Sequence, residues 1–411
     1  MRASITRANR VMPEGVYYRT LKARAEIIEG NINDLLWDLT VYKYALQKCI
    51  EALWELDKIP KKSQVHQLFY PMLRDHGFRA HVARNIYSTA LALVKSAKEN
   101  NGSKPVVKKM TARLDYQDAK VDMDSHVVKV ILRDKWYTLK IIHKKDFIEK
   151  FKGLKWKEVH VKYCNGVLYV SIIFVIRYKP YVPRGAIGLD INLRQITTYD
   201  GSNVRRYRTR FIDALSKRAR AEELQRKHPR RWRYNKRILS RVRALHRKAR
   251  NIVLDWCRKS AKYIVLKAKK YGYAIALEDL TNLRENIVEK EGVFVWKLSM
   301  FTYRKLQEAI ISKTIEHNVP VILVNPRNTS TTCPRCGTKL SYTYRLAICR
   351  KCNFKADRDK IGAINIWLRS LYVYAGEHGS TLSAPAVKDE ARQSGRIKDE
   401  GMKIMIKSVQ K

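Results

Sequence analysis

Two cysteine pairs, Cys333-Pro-Arg-Cys336 and Cys349-Arg-Lys-Cys352, are separated by twelve residues. A Cys-x-x-Cys turn puts two thiolates on one edge of a tetrahedron, and a second such turn completes a closed four-sulfur zinc site. Four sulfurs leave no open coordination position, so the one zinc expected here is structural and takes no part in chemistry. A redox dithiol or two unrelated pairs are the competing readings. The other cysteines, Cys49, Cys164 and Cys257, are scattered, and the total of seven is odd. This is no disulfide framework. It fits a reducing cytoplasm and a single metal site.

The second constraint is charge. The 411 residues include 84 Lys and Arg against 38 Asp and Glu, a formal net charge of +46. A chain so unbalanced repels itself and calls for a polyanion. A thermophile surface would set Glu against Lys in ion-pair networks, and that balance is missing. Nucleic acid is therefore the expected partner, ahead of an anionic membrane surface. With 45% hydrophobic residues the chain has enough apolar material for real cores. Its longest apolar run, Val167 to Ile176, is ten residues, against about 20 for a membrane-spanning helix. The opening Met1-Arg-Ala-Ser-Ile-Thr-Arg has no apolar run behind it, so no secretory signal is expected.

Hydrophobic periodicity divides the chain. Leu39, Tyr42, Leu46, Ile50 and Leu53 recur at three and four residues, which predicts a helix with one buried stripe. A second helical stretch covers about 63–98, broken near His76-Gly77. The period then changes to two over 127–142 and 156–163, and Asn165-Gly166 between apolar runs predicts a tight hairpin. A helical insert thus interrupts a mainly β module whose first strand lies before residue 30. Beyond Pro180 and Pro183 the pattern becomes strands alternating with helices, the signature of an α/β sheet. Adjacent strands are predicted at 186–190 and 195–199, and a long helical region at 211–270 broken at Pro229. Further strands are predicted at 273–277 and 320–324, with helices at 303–317 and 360–371. Residues 375–411 are polar and aperiodic.

In so basic a chain the carboxylates stand out. Asp190 ends one apolar strand, Glu278 ends another, and Asp357-Arg-Asp359 opens the helix behind the cysteines. Strand ends and a helix start are where side chains distant in sequence converge at one sheet edge. Three carboxylates there would repel one another unless cations sat between them, and two divalent ions can clamp a phosphodiester. Each acid alone reads equally well as a helix cap or a turn residue; the three together point to a site.

The blocks Gly188-Leu-Asp190-Ile-Asn192, Leu277-Glu278-Asp279-Leu280, Asn325-Pro-Arg-Asn-Thr-Ser-Thr-Thr-Cys-Pro-Arg-Cys336-Gly and Asp357-Arg-Asp359-Lys-Ile-Gly-Ala-Ile-Asn-Ile366 resemble the TnpB proteins of insertion sequences, relatives of the type V CRISPR effectors. The resemblance is specific over 185–371 and architectural before it. It implies an α/β, RNase H-like (RuvC) nuclease domain at 181–328 and 356–372, with a zinc ribbon inserted at 329–355. It also implies an N-terminal β-barrel wedge module, 1–30 and 103–180, interrupted by a helical recognition insert at 31–102; 373–411 is then a disordered tail. By the same resemblance, Asp190, Glu278 and Asp359 are the catalytic set holding two Mg²⁺, and Asp357 is the weaker candidate for the last position. Cys333, Cys336, Cys349 and Cys352 hold the zinc. Asn192 stands where the family has Gly, a change Asn tolerates because it accepts a positive φ, and Ile361 stands where it has Asn.

Residues 201–250 carry 19 Lys and Arg against Asp213, Glu222 and Glu223. Within them Arg230, Arg231, Arg233, Lys236, Arg237, Arg241 and Arg243 are interleaved with Trp232 and Tyr234. Guanidinium forks suit phosphate and aromatic faces suit unpaired bases, although a long basic helix can also be a solvated face. Arg79 and Arg84 in the helical insert are further candidates. The expected function is an RNA-guided DNA endonuclease. It would bind a guide RNA from the transposon end and cleave matching double-stranded DNA beside a short adjacent motif, in a prokaryotic cytoplasm in association with the nucleoid. A guided DNA binder without cleavage and a transposase or recombinase are the alternatives. Against the latter, a transposase of this fold normally ends its acidic set in Glu.

Overall fold

The computed structural model describes residues 9–279 and 293–378, which form two units: 16–177, and 9–15 together with 178–378. Residues 1–8 and the expected tail from 379 onward lie outside the described residues.

The chain begins with β1 (Arg10–Val11) and β2 (Gly15–Glu29), followed by α1 (Ile32–Trp54), α2 (Lys62–Asp75) and α3 (Ala80–Glu99). Asn31 caps α1, its Oδ1 accepting the Asn33 N–H at 2.8 Å. The predicted stripe Leu39, Tyr42, Leu46, Ile50 and Leu53 is buried. Gly77, at φ +80°, supplies the left-handed residue behind α2. Next come β3 (Met110–Leu114), β4 (Ala119–Asp122), β5 (Val127–Ile131), β6 (Trp136–Ile142), the short α4 (Lys145–Ile148), β7 (Trp156–Cys164) and β8 (Val167–Tyr178). Asn165 and Gly166, at φ 52° and 77°, form the hairpin turn that pairs Cys164 with Val167. On β2, Leu21, Ala23 and Ala25 alternate into the core that α1 and α3 also fill.

These strands form one sheet in the order β3-β7-β8-β2-β6-β5-β4. Its edge strands β3 and β4 do not pair with each other, so the expected barrel is an open half-barrel. Side chains hold the corner between them instead. Asp115 Oδ1 accepts the Gln117 N–H at 2.9 Å in an Asx turn, and Arg79 Nε reaches the buried Asp118 Oδ1 at 3.3 Å. Burial pushes the Asp118 carboxyl up to about 6. Arg79, expected to contact nucleic acid, is thus engaged in an ion pair within its own unit.

The other unit contains β9 (Gly185–Ile191), β10 (Gln195–Tyr199), β11 (Val204–Arg208), α5 (Phe211–Lys227), α6 (Lys236–Tyr271), β12 (Tyr273–Glu278), α7 (Val293–His317) and β13 (Val321–Val324). The short strands β14 (Ser341–Thr343), β15 (Leu346–Ile348) and β16 (Lys355–Asp357) follow, then α8 (Arg358–His378). Residues 373–378, assigned above to the tail, complete this last helix. The main sheet has the order β1-β13-β12-β9-β10-β11. Strands β9, β12 and β13 run parallel, while β10, β11 and β1 are antiparallel to their neighbours. Arg10 and Val11, expected in the β module, form the edge of this sheet opposite Leu323 and Ile322.

Period-2 alternation gives the sheet two buried faces. Ile187, Leu189, Ile275, Leu277, Val321 and Leu323 pack with residues of α6 and α7. Ala186, Ala274, Ala276, Ile322 and Val324 pack with Ile364, Trp367 and Leu371 of α8. Gly188 lies on this second face, where a Cβ would stand 2.4 Å from the Ala363 carbonyl oxygen and 2.6 Å from the Trp367 nitrogen. Both are backbone atoms that cannot swing aside. Gly188→Ala is therefore expected to destabilise this unit by about 3 kcal/mol, the upper part of the overpacking range. Urea unfolding of the variant with an unchanged midpoint would contradict the close crossing.

Candidate active site and metal centre

The face that buries Ala186 and Gly188 continues to Asp190, and the face that buries Ala274 and Ala276 continues to Glu278. Because Ala276 pairs with Gly188, Asp190 and Glu278 are level at the C-terminal ends of adjacent parallel strands, both on the α8 side. Asp359 stands in the first turn of α8, 4% exposed, against 9% for Asp190. Gly362, one turn on, abuts Asp190: a Cβ there would lie 2.9 Å from its carboxyl carbon.

Burial, then the neighbouring Glu278 and Asp359, push the Asp190 carboxyl up to about 8. Burial likewise raises Glu278, against the Thr329 hydroxyl and the Arg369 guanidinium, which lower it. Tyr303 is raised to about 12, by burial first and then by Asp190. These are the shifts of acids crowded in a dry place.

Each carboxylate has one oxygen held by a donor. Asn192 Nδ2 donates to Asp190 Oδ2 at 2.7 Å, Gln195 Nε2 to Asp359 Oδ2 at 2.6 Å, and the Thr329 hydroxyl to Glu278 Oε1 at 2.6 Å. Arg345, at the turn between β14 and β15, also donates to Asp359 Oδ2. Asp190 Oδ1, Glu278 Oε2 and Asp359 Oδ1 accept no hydrogen bond among the described residues. Asp357 plays a different part. Its Oδ1 accepts the Asp359 N–H at 3.0 Å, which caps α8, and it faces Arg206 and Arg345 at 3.6 and 3.5 Å.

Gln195 and Arg345 carried no signal in the sequence, because hydrophobic patterning says nothing about which polar groups a turn brings together; Thr329 lay inside the block 325–337 that carries the resemblance, with no role assigned to it. Asn192 was legible as a departure, but its expected positive φ is absent; its side chain contributes instead. Asn365 lay in the block 357–366, again with no role assigned to it. It is buried in α8 and donates to the Thr329 and Thr332 carbonyls at 2.7 and 2.8 Å, fixing the loop that carries Thr329. Ile361 faces away from the carboxylates, fully buried with Leu340, Ala347, Phe354 and Ala356 in the core around the cysteines.

The four cysteine sulfurs lie within 4.8 Å of one another, the only such group of three or more ligands among the described residues. Cys333 and Cys352 are 3.6 Å apart and Cys336 and Cys349 3.4 Å. Tetrahedral sulfurs at about 2.3 Å from zinc stand about 3.8 Å apart, so the set fits the metal. The two knuckles repeat one backbone device, a left-handed residue after the second cysteine: Gly337 at φ +75° and Asn353 at φ +54°. The oxygens of Asp190, Glu278 and Asp359 do not form such a group within 4.8 Å.

All seven basic residues picked out between Arg230 and Arg243 are exposed. The Arg233 guanidinium lies 5.3 Å from the Trp232 ring centroid, and Tyr234 is 84% exposed. Arg84 is exposed on α3. Among the described residues, no helix is long and apolar enough to cross a membrane.

The four-sulfur centre leads to a direct test. The purified chain is expected to hold one zinc, and Cys336→Ser with Cys349→Ser to lose it together with solubility, because such a site contributes folding energy directly. Metal analysis that finds full zinc in the double variant would exclude these ligands.

Residues 303–366 match the family model described as Cas12f1-like, TNB domain. The chain is similar to TnpB-like protein MJ0751 of Methanocaldococcus jannaschii, 28% identical over 250 residues that cover 57% of this chain and 87% of that protein. It is also similar to TnpB-like protein MJ1635 of the same organism, 26% identical over 360 residues, or 80% of each chain. Among solved structures, a Cas12f1–sgRNA–target DNA complex shares the fold, with a TM-score of 0.56 at 13% identity over 85% of this chain and 98% of that one. With the cysteine ribbon seated between β13 and α8, and with relatives of this name matched over most of their length, the chain belongs to the TnpB family.

Proposed function

We propose that this protein is an RNA-guided DNA endonuclease, binding a guide RNA and cleaving matching double-stranded DNA beside a short adjacent motif. One observation carries the reading: Asp190 and Glu278 are level on parallel strands and face the helix whose first turn carries Asp359. The main sheet, an antiparallel meander followed by two parallel strands, supports assigning this unit to the RuvC-like nucleases of RNase H fold. The family's domain plan then makes 181–328 and 356–372 the nuclease and 329–355 the ribbon, with 31–102 the recognition insert of the N-terminal module. The solved Cas12f1 relative is a complex with guide RNA and target DNA, in keeping with a net charge of +46.

Asp190, Glu278 and Asp359 would hold two Mg²⁺, which when bound supply an activated water and stabilise the leaving oxygen of the phosphodiester. The carboxylates set the spacing of the site, and burial by α8 excludes bulk water. Asp357 stays outside as the helix cap. The burial of Ile361 in the ribbon core supports cleavage over a binder that has lost it, since the Asn-to-Ile departure removes no polar group from the carboxylates. The acidic set ends in Asp, which favours hydrolysis over strand transfer. The exposed Arg and Lys side chains of 230–243, with Trp232 and Tyr234 among them, would track guide or target phosphates.

Asp190→Ala, Glu278→Ala and Asp359→Ala are each expected to abolish cutting of a matched plasmid in Mg²⁺ while guide binding survives. Asp357→Ala is expected to retain substantial activity with a less stable α8, by about 1 kcal/mol for a lost cap. Cutting by all four variants, or a dead Asp357 variant beside an active Asp359 variant, contradicts the assignment. For the basic segment, replacing Arg230, Arg231 and Arg233 with Ala is expected to weaken guide binding and flatten its salt dependence by about one unit of slope per lost phosphate contact. An unchanged slope reduces the segment to a solvated face.

A further inference from the structure

The turn joining β9 to β10 carries a carboxamide at each end, and the two reach carboxylates from segments far apart in the chain. Asn192 Nδ2 donates to Asp190 Oδ2 at 2.7 Å and Gln195 Nε2 to Asp359 Oδ2 at 2.6 Å. We propose that this turn is a positioning device: Asn192 and Gln195 orient Asp190 and Asp359 so that the Oδ1 atoms of both are presented to divalent cations. The proposal rests on the nuclease reading above.

The turn is built to stay in place. The Asn192 N–H donates to the Gln195 carbonyl at 2.9 Å, closing the turn on itself. Thr209 holds its middle twice, the N–H donating to the Arg194 carbonyl at 2.9 Å and the hydroxyl to the Leu193 carbonyl. The Leu193 N–H bonds to the hydroxyl of Tyr303, a side chain that also feels the charges of all three carboxylates. Both carboxamides therefore project from a fixed base.

Such a base matters because the carboxylate torsion of Asp is soft and roughly two-fold, so an unheld group samples a wide arc. A charge-assisted hydrogen bond to one oxygen narrows that arc and sets the other oxygen. Outer partners of metal ligands are worth 10- to 100-fold in affinity, on the order seen when they are removed. A neutral amide is well suited to this role. It donates without adding the positive charge that would repel a cation, unlike Arg345, which must share Asp359 Oδ2 with Gln195. Asn192 replaces a residue that has no side chain in the usual family pattern, so this chain adds a holding contact at Asp190.

The test measures Mn²⁺ binding to the zinc-loaded full chain by the spin-resonance signal of free Mn²⁺, beside thermal unfolding of the same samples. Asn192→Ala and Gln195→Met, the latter keeping the volume and losing the donor, are each expected to weaken Mn²⁺ binding by about ten-fold with an unchanged unfolding midpoint. The Mg²⁺ concentration for half-maximal plasmid cleavage by the guide complex is expected to rise in parallel, with cutting restored at high Mg²⁺. Asp190→Ala serves as the reference that removes the site. If that reference loses Mn²⁺ while both amide variants bind like the unsubstituted chain, the positioning role is overturned and the nuclease reading stands. If the reference binds Mn²⁺ unchanged, the carboxylate site itself fails. Weaker binding that tracks an equal loss of thermal stability in both variants assigns the amides to folding and overturns the proposal.

Discussion

The α/β unit depends on one close contact, the crossing of α8 over β9. At Gly188 the helix backbone comes so near the strand that a single added carbon would meet two backbone atoms. The crossing does more than fill a core. It sets the height of α8 above the sheet, and with it the distance from Asp359 to the strand ends that carry Asp190 and Glu278. Alanines at 186, 274, 276 and 363 surround the contact, a run of small side chains that lets helix and sheet approach.

Much of this was legible in the sequence, for identifiable reasons. The periods of α1 and α6 stand out because each helix buries one face, and β9 stands out as a short apolar run because it is buried on both. The Asn165-Gly166 hairpin stands out because few residue pairs accept two positive φ values. The cysteines and the carboxylates were legible as rare residue types at telling places. What escaped was decided by pairing across long separations. Arg10 and Val11 join β13 more than three hundred residues away, and a two-residue strand leaves no period to read. The open edge of the half-barrel is invisible for the same reason, since strand order is not written in any one strand. Gln195 and Arg345 are ordinary polar residues whose roles exist only in three dimensions, and Thr329 and Asn365, though within motif blocks, show their partners only there.

The cysteine ribbon and the carboxylate site share a frame. Strand β16 belongs to the ribbon's three-stranded sheet, where Asp357 pairs with Leu346, and α8 starts at the next residue. Arg345 sits at the ribbon's own turn and bonds Asp359, while Ile361 of α8 lies in the ribbon's core. Helix and ribbon therefore hold each other at the point where the last acid must stand. An Asn at 361 would meet an apolar core, which accounts physically for the Ile found there.

Order of synthesis has a consequence in this topology. The unit 16–177 is continuous in sequence and can fold as soon as it leaves the ribosome. The α/β unit cannot. Its edge strand β1 emerges first and must wait for β13, and its sheet stays bare on one face until α8, the last described element, has been made. Long-range closure of this kind is slow. Until then the growing chain carries two of the three acids on a half-covered sheet and lacks the third, so a ribosome-bound chain beside the cell's own DNA holds an incomplete acidic set. Placing the third acid on α8 delays assembly of the site until every other described element has been made.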